Sequence, residues 1–352
     1  MNSFLKNLSA QPLQWLSLNA PLTEVVISSR IRLARNLADE MFPSKMDEIK
    51  GLDAMEIIFE ACSKLPQSER LCSFELNTLN EIEKDLLLER RHITHNSVFS
   101  SITGIVLDED DDFSILVNDE DHVHLQVIRP GLELHKSWDY ITHIDTLLNK
   151  EIDYEFCNDR GFLTSSPKNV GTGMRASVQL DLSGTYLTGQ LSGIVQAARV
   201  SGYRLHGTDG QDESSRPGRY LISTTQTLGV KEEELLYEFE VFVREVVDCE
   251  LRARRKLLAD SPYRPLNLVS RAYGALKYSW LLDEDEAFDR LMTLRFGLQL
   301  GIFEYLTFER LELAITYSCN SHLQQVLQEA LSTEDLNRAR ALLVRKNIGL
   351  DI

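Results

Sequence analysis

The strongest constraint on the fold is a change of sequence pattern near Gly229. Before it, from Glu24 to about Thr227, short strand-like apolar runs alternate with helical segments. After it, apolar residues recur only at helical spacing, and two prolines in Ser261–Pro265 interrupt the series. We therefore predict an N-terminal segment at 1–23, an α+β domain at 24–259 and a small all-helical domain at 260–352. The helices expected in the last part are Leu266–Leu282, Glu284–Leu300, Thr307–Ala330 and Thr333–Asn347.

Strands of the α+β part are predicted to pair with their neighbours in sequence. Ile102–Leu107 and Phe113–Val117 are apolar runs separated by the charged turn Asp108–Asp112, which is typical of a hairpin. His122–Ile128 continues as a third strand, and an amphipathic helix follows from Leu134. Hairpins with interposed helices favour an antiparallel sheet that carries helices on one face.

Charge and cysteine content exclude several classes of protein. The net charge of −17 argues against nucleic acid or an anionic membrane surface as partner, and it suits a cationic, arginine-rich protein target. Five cysteines, widely spaced and without a CxxC pair, predict a reducing compartment with no disulfide framework and no zinc site. The first residues lack the apolar core of a signal peptide, and no run of about 18 apolar residues occurs. We therefore expect a cytoplasmic protein.

Two stretches concentrate positive charge in this acidic chain. In Ser28–Asn36, S-S-R-I-R-L-A-R-N, an extended backbone places Arg30 and Arg32 on the same side because the side-chain period is two. In the second stretch, Asn169–Val178, Gly171 and Gly173 precede Arg175. We interpret the glycines as allowing the backbone to approach a bulky anion. Both stretches predict phosphate binding.

Three segments, Ser28–Asn36, Asn118–His122 and Asn169–Val178, resemble in order and spacing the ATP:guanidino phosphotransferases, the phosphagen kinase family. The resemblance is strongest to its bacterial protein-arginine kinase branch, the McsB type. It runs from about Val25 to Ala259, with a continuation to the C-terminus. It implies a curved, largely antiparallel sheet flanked by helices, glutamine-synthetase-like, which uses ATP and Mg²⁺. Protein substrates with exposed arginines are implied as partners, an activator protein and protease machinery are suggested, and a homodimer is left open.

The resemblance also assigns site residues. Glu120, in N-D-E-D-H, matches the catalytic glutamate that grips the guanidinium group; the alternative is an ordinary charge at a strand end. His92 matches a nucleotide-contacting histidine, with a packed histidine as the alternative. The nucleotide-binding positions implied are Ser28, Ser29, Arg30, Ile31, Arg32, His92, Arg175, Ala176, Ser177 and Val178.

Several positions depart from the family pattern. His124 and His206 stand where the family has phosphate-binding arginines, and Ser166 stands where it has a reactive cysteine. Gln211 replaces the distal catalytic glutamate; its amide can hold a guanidinium group but cannot accept a proton.

The C-terminal part carries a second partial match. In the E-D-L-N-R-A segment, Asp335 and Arg338 match a phosphoarginine-binding motif, but Glu334 reverses the charge of its leading arginine. An ordinary charged helix face is the favoured alternative there.

Three functions remain open from the sequence. The first is an ATP-dependent protein-arginine kinase. The second is a catalytically impaired pseudokinase that acts as a regulatory or adaptor protein and still binds nucleotide. The third is a small-molecule guanidino kinase, which we disfavour because the helical N-terminal domain of such enzymes does not fit into the residues before Glu24.

Overall fold

The computed structural model describes residues 2–207, 218–303, 306–327 and 331–349. Most strands of this part of the chain form one open antiparallel sheet of eight strands. The strands are β1 Val26–Arg35, β2 Leu71–Glu75, β3 Gly104–Asp108, β4 Phe113–Val117, β5 Val123–Pro130, β6 Phe156–Cys157, β7 Gly161–Phe162, β8 Met174–Asp181, β9 Tyr203–Gly207 and β10 Arg219–Thr224. The order across the sheet is β2-β3-β4-β5-β1-β8-β10-β9, and β6 pairs separately with β7.

Helices occupy the segments between the strands and nearly all of the chain after Gly229. Their bounds are α1 Ser3–Ser9, α2 Glu48–Ser63, α3 Glu81–Glu89, α4 Leu134–Leu148, α5 Ser183–Leu187, α6 Leu191–Val200, α7 Glu232–Asp260, α8 Tyr263–Tyr278, α9 Glu284–Gln299, α10 Phe308–Thr316, α11 Asn320–Leu327 and α12 Thr333–Asn347. No helix among these described residues is long and apolar enough to cross a membrane.

The α+β class and the antiparallel sheet predicted from the hairpin pattern are confirmed. The single helix expected from Thr307 to Ala330 is wrong, because α10 ends at Thr316 and α11 begins only at Asn320. The hydroxyl of Ser318 donates to the Ile315 carbonyl at 2.7 Å and so satisfies a backbone carbonyl at the end of α10. Periodicity alone does not reveal this helix end. The domain boundary near 259–260 stays a prediction.

The two faces of the sheet are covered differently. One face carries the main hydrophobic core, in which Ile31 and Leu33 of β1 pack with helices α2, α4, α6 and α7. On the opposite face a smaller core covers β2–β4 and includes Ile105 and Leu116, together with α1 and α3. A third core joins the C-terminal helices to Ile128 of β5. The middle of this second face, between the two smaller cores, carries polar and charged residues of β1, β5 and β8.

The N-terminal segment belongs to the third core. Leu13, Trp15 and Leu16 are buried there among helices α8, α9, α10 and α12. The backbone N–H of Leu13 also donates to Oγ1 of Thr316, at the end of α10, over 3.1 Å. The first residues of the chain are therefore packed against its last helices.

Candidate active site

The pairing of β1 with its two neighbours assembles the arginines. Arg32 lies opposite Arg175 of β8 on one side and Gln126 of β5 on the other. Arg30 lies opposite Ser177. Since directly opposed residues of a sheet project to the same face, these side chains share the face that the main core leaves uncovered. His124, two residues before Gln126, projects to that face as well.

Three arginines of this face form no ion pair within the described part of the chain. Arg30, Arg32 and Arg175 are half-buried, and none forms a hydrogen bond or ion pair with a residue that the structure describes. Burial lowers the pKa of Arg30 well below its usual value, and the neighbouring arginines lower it further. Burial and Arg175 likewise lower the pKa of Arg32, although Asp119 and Glu120 oppose that shift. Clustered cations that have no partner make a strong site for a polyanion.

Gly171 and Gly173 are required for a different reason from the one that the sequence suggested. At Gly171, φ is +113°, and a Cβ would lie 2.2 Å from the Thr227 carbonyl oxygen. At Gly173, φ is +62°, and a Cβ would lie 2.5 Å from the Ala34 carbonyl oxygen. Both glycines thus allow close packing of the loop against protein backbone, which fixes the start of β8 and hence the position of Arg175.

Four of the predicted nucleotide-binding residues point the other way. The side chains of Ile31, Ala176 and Val178 are fully buried in the main core. Ser29 accepts a hydrogen bond from the Glu133 backbone N–H at 3.1 Å. These four residues shape the strands, whereas Ser28, Arg30, Arg32, Arg175 and Ser177 line the opposite face.

Arg35, from the same arginine-rich stretch, is also outside the cluster. It forms a 2.8 Å ion pair with Asp145, and its guanidinium lies 3.6 Å from the centroid of the Phe162 ring. Arg35 is three residues after Arg32, and because side chains of a strand alternate between the faces, it projects to the other face of the sheet. Arg35 is therefore a structural residue that anchors α4.

Glu120 lies at the tip of the tight turn between β4 and β5. Its carboxylate is exposed and has no hydrogen-bond partner among the described residues. The neighbours on both sides are held: Asp119 accepts from the Ser97 hydroxyl at 2.7 Å, and Asp121 accepts from the Asn36 amide at 2.7 Å. Asn36 in turn accepts from the His122 backbone N–H at 3.0 Å. The turn is rigid while its central carboxylate stays free, as a guanidinium clamp requires.

His124 does not reproduce an arginine. Its Nε2 lies 3.2 Å from an Asp121 oxygen, and its Nδ1 lies 3.8 Å from an Asp119 oxygen. Burial opposes protonation, but the hydrogen bonds to Asp119 and Asp121 outweigh it and raise the pKa of His124 above its usual value. The charge of this histidine is therefore largely committed to two carboxylates.

Two of the other substituted positions, Ser166 and His206, lie in the described part of the chain. The Ser166 loop is attached to the Glu120 turn, because the backbone N–H of Ser165 donates to Asp121 at 2.6 Å. His206 lies on β9 opposite Leu221 of β10, and its Nδ1 is 2.8 Å from the Gly207 carbonyl oxygen. Leu221 lies opposite Gln179 of β8, which in turn lies opposite Ser28 of β1, so the side chain of His206 is on the same face of the sheet as that of Ser28. Gln211 lies outside the described residues.

His92 borders the site but is held by another residue. Its side chain is almost fully buried, and its Nε2 lies 2.7 Å from Oδ1 of Asp111, which also pairs with Arg90. The other ring nitrogen, Nδ1, has no protein partner in the described part of the chain. This nitrogen is itself buried, so the geometry does not distinguish a nucleotide-contacting histidine from a packed one. Arg91, which we did not single out from the sequence, lies next to His92 and projects toward Ser28.

Part of this face borders an open cavity of about 790 Å³. Arg30, Arg32 and Arg91 line it together with Asp119, Glu120 and His124, whereas Arg175 lies outside the lining. The volume falls within the range for small-molecule and cofactor sites. A polyanion on the arginines would thus extend toward a free carboxylate.

A larger cavity, of about 1590 Å³, lies between β8–β10 and helices α8, α9 and α12. Asp335 and Arg338 do not border it; both are exposed, and Asp335 accepts a 2.6 Å hydrogen bond from Ser332 at the start of α12. Nothing in this geometry favours phosphoarginine binding by these two residues over an ordinary helix face.

One group of side chains has the spacing of metal ligands. Glu89, Cys319 and His322 bring their ligand atoms within 4.8 Å of one another. However, Nη2 of Arg90 lies 3.2 Å from Nε2 of His322, and Nδ1 of His322 lies 2.8 Å from Glu89. A cation beside this group repels a metal ion, so we interpret it as a hydrogen-bond network between α3 and α11.

Known proteins share this fold and sequence. Residues 53–253 match the family described as ATP:guanido phosphotransferase, C-terminal catalytic domain, and residues 266–351 match the protein-arginine kinase McsB C-terminal domain. The solved structure of lombricine kinase superposes with a TM-score of 0.59 at 19% identity, over 69% of this chain and 70% of that one. The duplicated taurocyamine kinase from Schistosoma mansoni gives 0.59 at 22% identity, over 67% and 35%. These structures share the fold.

Closer relatives are found by sequence. The protein-arginine kinase of Pelotomaculum thermopropionicum is 36% identical over 293 residues, which is 82% of this chain and 82% of the relative. That of Brevibacillus brevis is 32% identical over 337 residues, 95% of this chain and 94% of the relative. The fold and the site define a phosphotransferase of guanidino groups. The chain belongs to the ATP:guanido phosphotransferase family, as the resemblance predicted.

Proposed function

We propose that this protein is an ATP-dependent protein-arginine kinase. The observation that carries the proposal is the row of unpaired guanidinium groups of Arg30, Arg32 and Arg175, which ends at the free carboxylate of Glu120. The arginines bind the nucleotide phosphates, and Glu120 orients the guanidinium group that is to be phosphorylated. The names of the relatives support arginine in proteins as the acceptor.

In this proposal the protein contributes position and charge. Phosphoryl transfer needs stabilisation of negative charge and an aligned nucleophile more than covalent chemistry from the enzyme. A guanidinium group is cationic and a poor nucleophile. Glu120 holds it by charge-assisted hydrogen bonds and accepts its proton as the guanidino nitrogen bonds to the γ-phosphorus of ATP. The bond from that phosphorus to the bridging oxygen breaks in the same step, and ADP leaves with this oxygen. Gln211 would hold the same guanidinium group without accepting a proton.

The site fits a magnesium nucleotide. Mg²⁺ prefers oxygen ligands and usually binds through phosphates, waters and one or two carboxylates. Asp119 and Glu120 are the carboxylates that border the cavity in the described part of the chain. When bound, the ion would neutralise phosphate charge. The arginines of β1 and β8 supply the remaining positive charge from the protein.

A pseudokinase is the second candidate. Two observations favour it: His124 is tied to Asp119 and Asp121, and Gln211 occupies the position of the family's distal glutamate. Such a protein would keep Arg30, Arg32 and Arg175 and bind nucleotide without turnover. We further propose a cytoplasmic site of action, with arginine-rich proteins as the partners that suit a net charge of −17. An activator protein, protease machinery and a homodimer remain proposals of the same kind.

The test is a search for phosphoarginine by mass spectrometry. An arginine-rich protein is incubated with Mg-ATP and the native chain, and in parallel with Glu120→Gln and with Gln211→Glu. The kinase proposal expects phosphoarginine with the native chain, far less with Glu120→Gln and more with Gln211→Glu. Nucleotide binding without any phosphoarginine identifies the pseudokinase. Absence of both overturns the proposal.

A further inference from the structure

Arg91 is a fourth guanidinium group without a counter-charge on this face. It is half-buried, it forms no ion pair with a described residue, and its charge acts on Arg30. Its one side-chain hydrogen bond is a long one, from Nη1 to the Ser28 hydroxyl at 3.4 Å. Burial lowers the pKa of Arg91 to about 9, and Arg219 adds to the shift. Two neighbouring cations buried in this way repel each other unless an anion lies between them.

The backbone of Arg91 is held in an uncommon conformation. Its φ is +67°, a region that residues other than glycine rarely occupy. Three hydrogen bonds fix it there: the Gln126 amide donates to the Arg91 carbonyl at 2.8 Å, and the N–H groups of Arg91 and His92 donate to Leu88 and Leu87 at 2.9 Å each. Because Gln126 lies opposite Arg32, the residue that fixes Arg91 belongs to the arginine face itself.

Trp15 holds the side chain. The Arg91 guanidinium carbon lies 3.5 Å from the centroid of the Trp15 ring. Trp15 is 3% exposed and is packed in the core that joins the N-terminal segment to the C-terminal helices. The indole covers one face of the guanidinium group, so the N–H groups at the edge of the guanidinium remain for in-plane hydrogen bonds. Such an edge suits phosphate oxygens.

We propose that Arg91 binds a phosphate group of the nucleotide and that Trp15 is its positioning residue. The inference rests on the proposed nucleotide site. The Arg91 guanidinium reaches the Ser28 end of β1, whereas the charge of Glu120 acts on Arg32. Ser28 and Arg32 are four positions apart, about 13 Å along an extended strand. Arg91 therefore contacts a phosphate remote from the transferred one, and this phosphate is also present in ADP. It supplies charge that His124 cannot.

The experiment measures ADP affinity by calorimetry and inorganic pyrophosphate affinity by competition against ADP. Arg91→Ala should weaken both by about 10- to 100-fold, the usual range for a lost hydrogen bond to a charged group. Arg91→Lys should recover only part of the loss because it lacks the planar fork. Arg199→Ala, at an exposed arginine on α6, is the matched control and should match the native chain.

Trp15 is tested through Arg91. Trp15→Leu keeps an apolar side chain and should weaken ADP binding by about 3- to 10-fold, whereas Trp15→Phe, which retains an aromatic face, should stay near native. In the Arg91→Ala background, Trp15→Leu should have no further effect on ADP affinity. Melting temperatures identify variants that do not fold, and Trp15→Met replaces Trp15→Leu in that case.

The outcomes separate this inference from the proposed function. If the native chain binds neither ADP nor pyrophosphate, the nucleotide site itself falls. If the native chain binds them and Arg91→Ala equals Arg199→Ala, the role of Arg91 is overturned while the kinase proposal stands. A loss of ADP affinity with unchanged pyrophosphate affinity assigns Arg91 to the base and overturns the phosphate contact. Additive effects of the Trp15 and Arg91 substitutions overturn the positioning role.

Discussion

Arg32 of β1 and Arg175 of β8 lie directly opposite each other, and neither has an ion-pair partner among the described residues. Like charges opposite each other in a sheet destabilise it. The fold thus retains a repulsive pair at the centre of its largest sheet. In the proposed function the same pair clamps a doubly charged phosphate group, so stability and binding should respond to it in opposite directions.

If Arg32 and Arg175 bind phosphate together, removal of one of them should lower the affinity for Mg-ATP. Arg175→Ala removes one half of the clamp and should weaken Mg-ATP binding by about 1.5–3 kcal/mol. Calorimetric titration of the native chain, Arg175→Ala and the exposed-site control Arg199→Ala measures it. An affinity of Arg175→Ala equal to that of the control would contradict the clamp.

If Arg32 and Arg175 repel each other, removal of one charge should raise the free energy of unfolding. Arg175→Gln keeps a polar side chain of similar reach and removes the repulsion with Arg32. The free energy of unfolding without nucleotide should rise by about 0.2–1 kcal/mol, the scale of cross-strand pairs. Urea unfolding at low salt measures it, and added salt should reduce the gain because it screens the native repulsion. A variant less stable than the native chain at low salt would show that Arg175 has a partner in the absence of ligand.

Glu120 should matter for turnover and hardly for nucleotide affinity. Its carboxylate lies at the β4–β5 turn and is exposed. Glu120→Gln should lower phosphoarginine formation by about 10²- to 10⁴-fold, the scale of a lost general base. ADP affinity, measured on the same sample, should change little. A parallel loss of both quantities would instead indicate that the turn itself has been disrupted.

Asn36 should be a stability residue of the same turn. Its amide donates to Asp121 at 2.7 Å and its oxygen accepts from the His122 backbone N–H at 3.0 Å, all in buried surroundings. Asn36→Ala leaves these groups unpaired and should cost about 1–3 kcal/mol for each in the free energy of unfolding. Asn77→Ala, at an exposed asparagine, is the control and should cost far less. Equal losses in the two variants would refute the role of Asn36.

The raised pKa of His124 predicts a pH-dependent contribution to stability. A histidine whose pKa is higher in the folded state stabilises the protein fully below its unfolded value of about 6.5, and loses this effect as the pH rises through the folded pKa. The free-energy difference between the native chain and His124→Gln should therefore be largest between about pH 4.5 and 6.5 and shrink above that. Asp119 and Asp121 stay ionised over this range: burial raises their pKa values, but the hydrogen bonds to His124 and to other donors outweigh it and lower them below the usual aspartate value.

Unfolding by urea at a series of pH values measures this difference. His95→Gln, at an exposed histidine, provides the control. A flat profile for His124→Gln would mean that the two aspartates do not hold the imidazolium.

The sequence predicts the sheet and its arginine row well, for a physical reason. The period of two in an extended strand is sufficient to place Arg30 and Arg32 on one face and Arg35 on the other. It is also sufficient to recognise the hairpins of β3, β4 and β5. These features depend on local geometry, which the residues themselves determine.

Other parts of the site depend on contacts between distant segments. Arg91 stands beside His92 in the sequence, but its left-handed backbone and its stacking on Trp15 follow from tertiary packing. The pairing of His124 with both Asp119 and Asp121 depends on how tightly the turn closes. A sequence pattern names these residues without indicating which way their side chains point.

The hydrogen bond from Leu13 to Thr316 spans 303 positions of the chain. A ribosome therefore completes Leu13 and Trp15 long before it makes the helices that bury them. Until α10 has emerged, the indole has no core to pack into, and Arg91 has no aromatic surface to lie on. Nucleotide capture should thus be a property of the finished chain, since a partly synthesised kinase lacks the last contact that its first residues need.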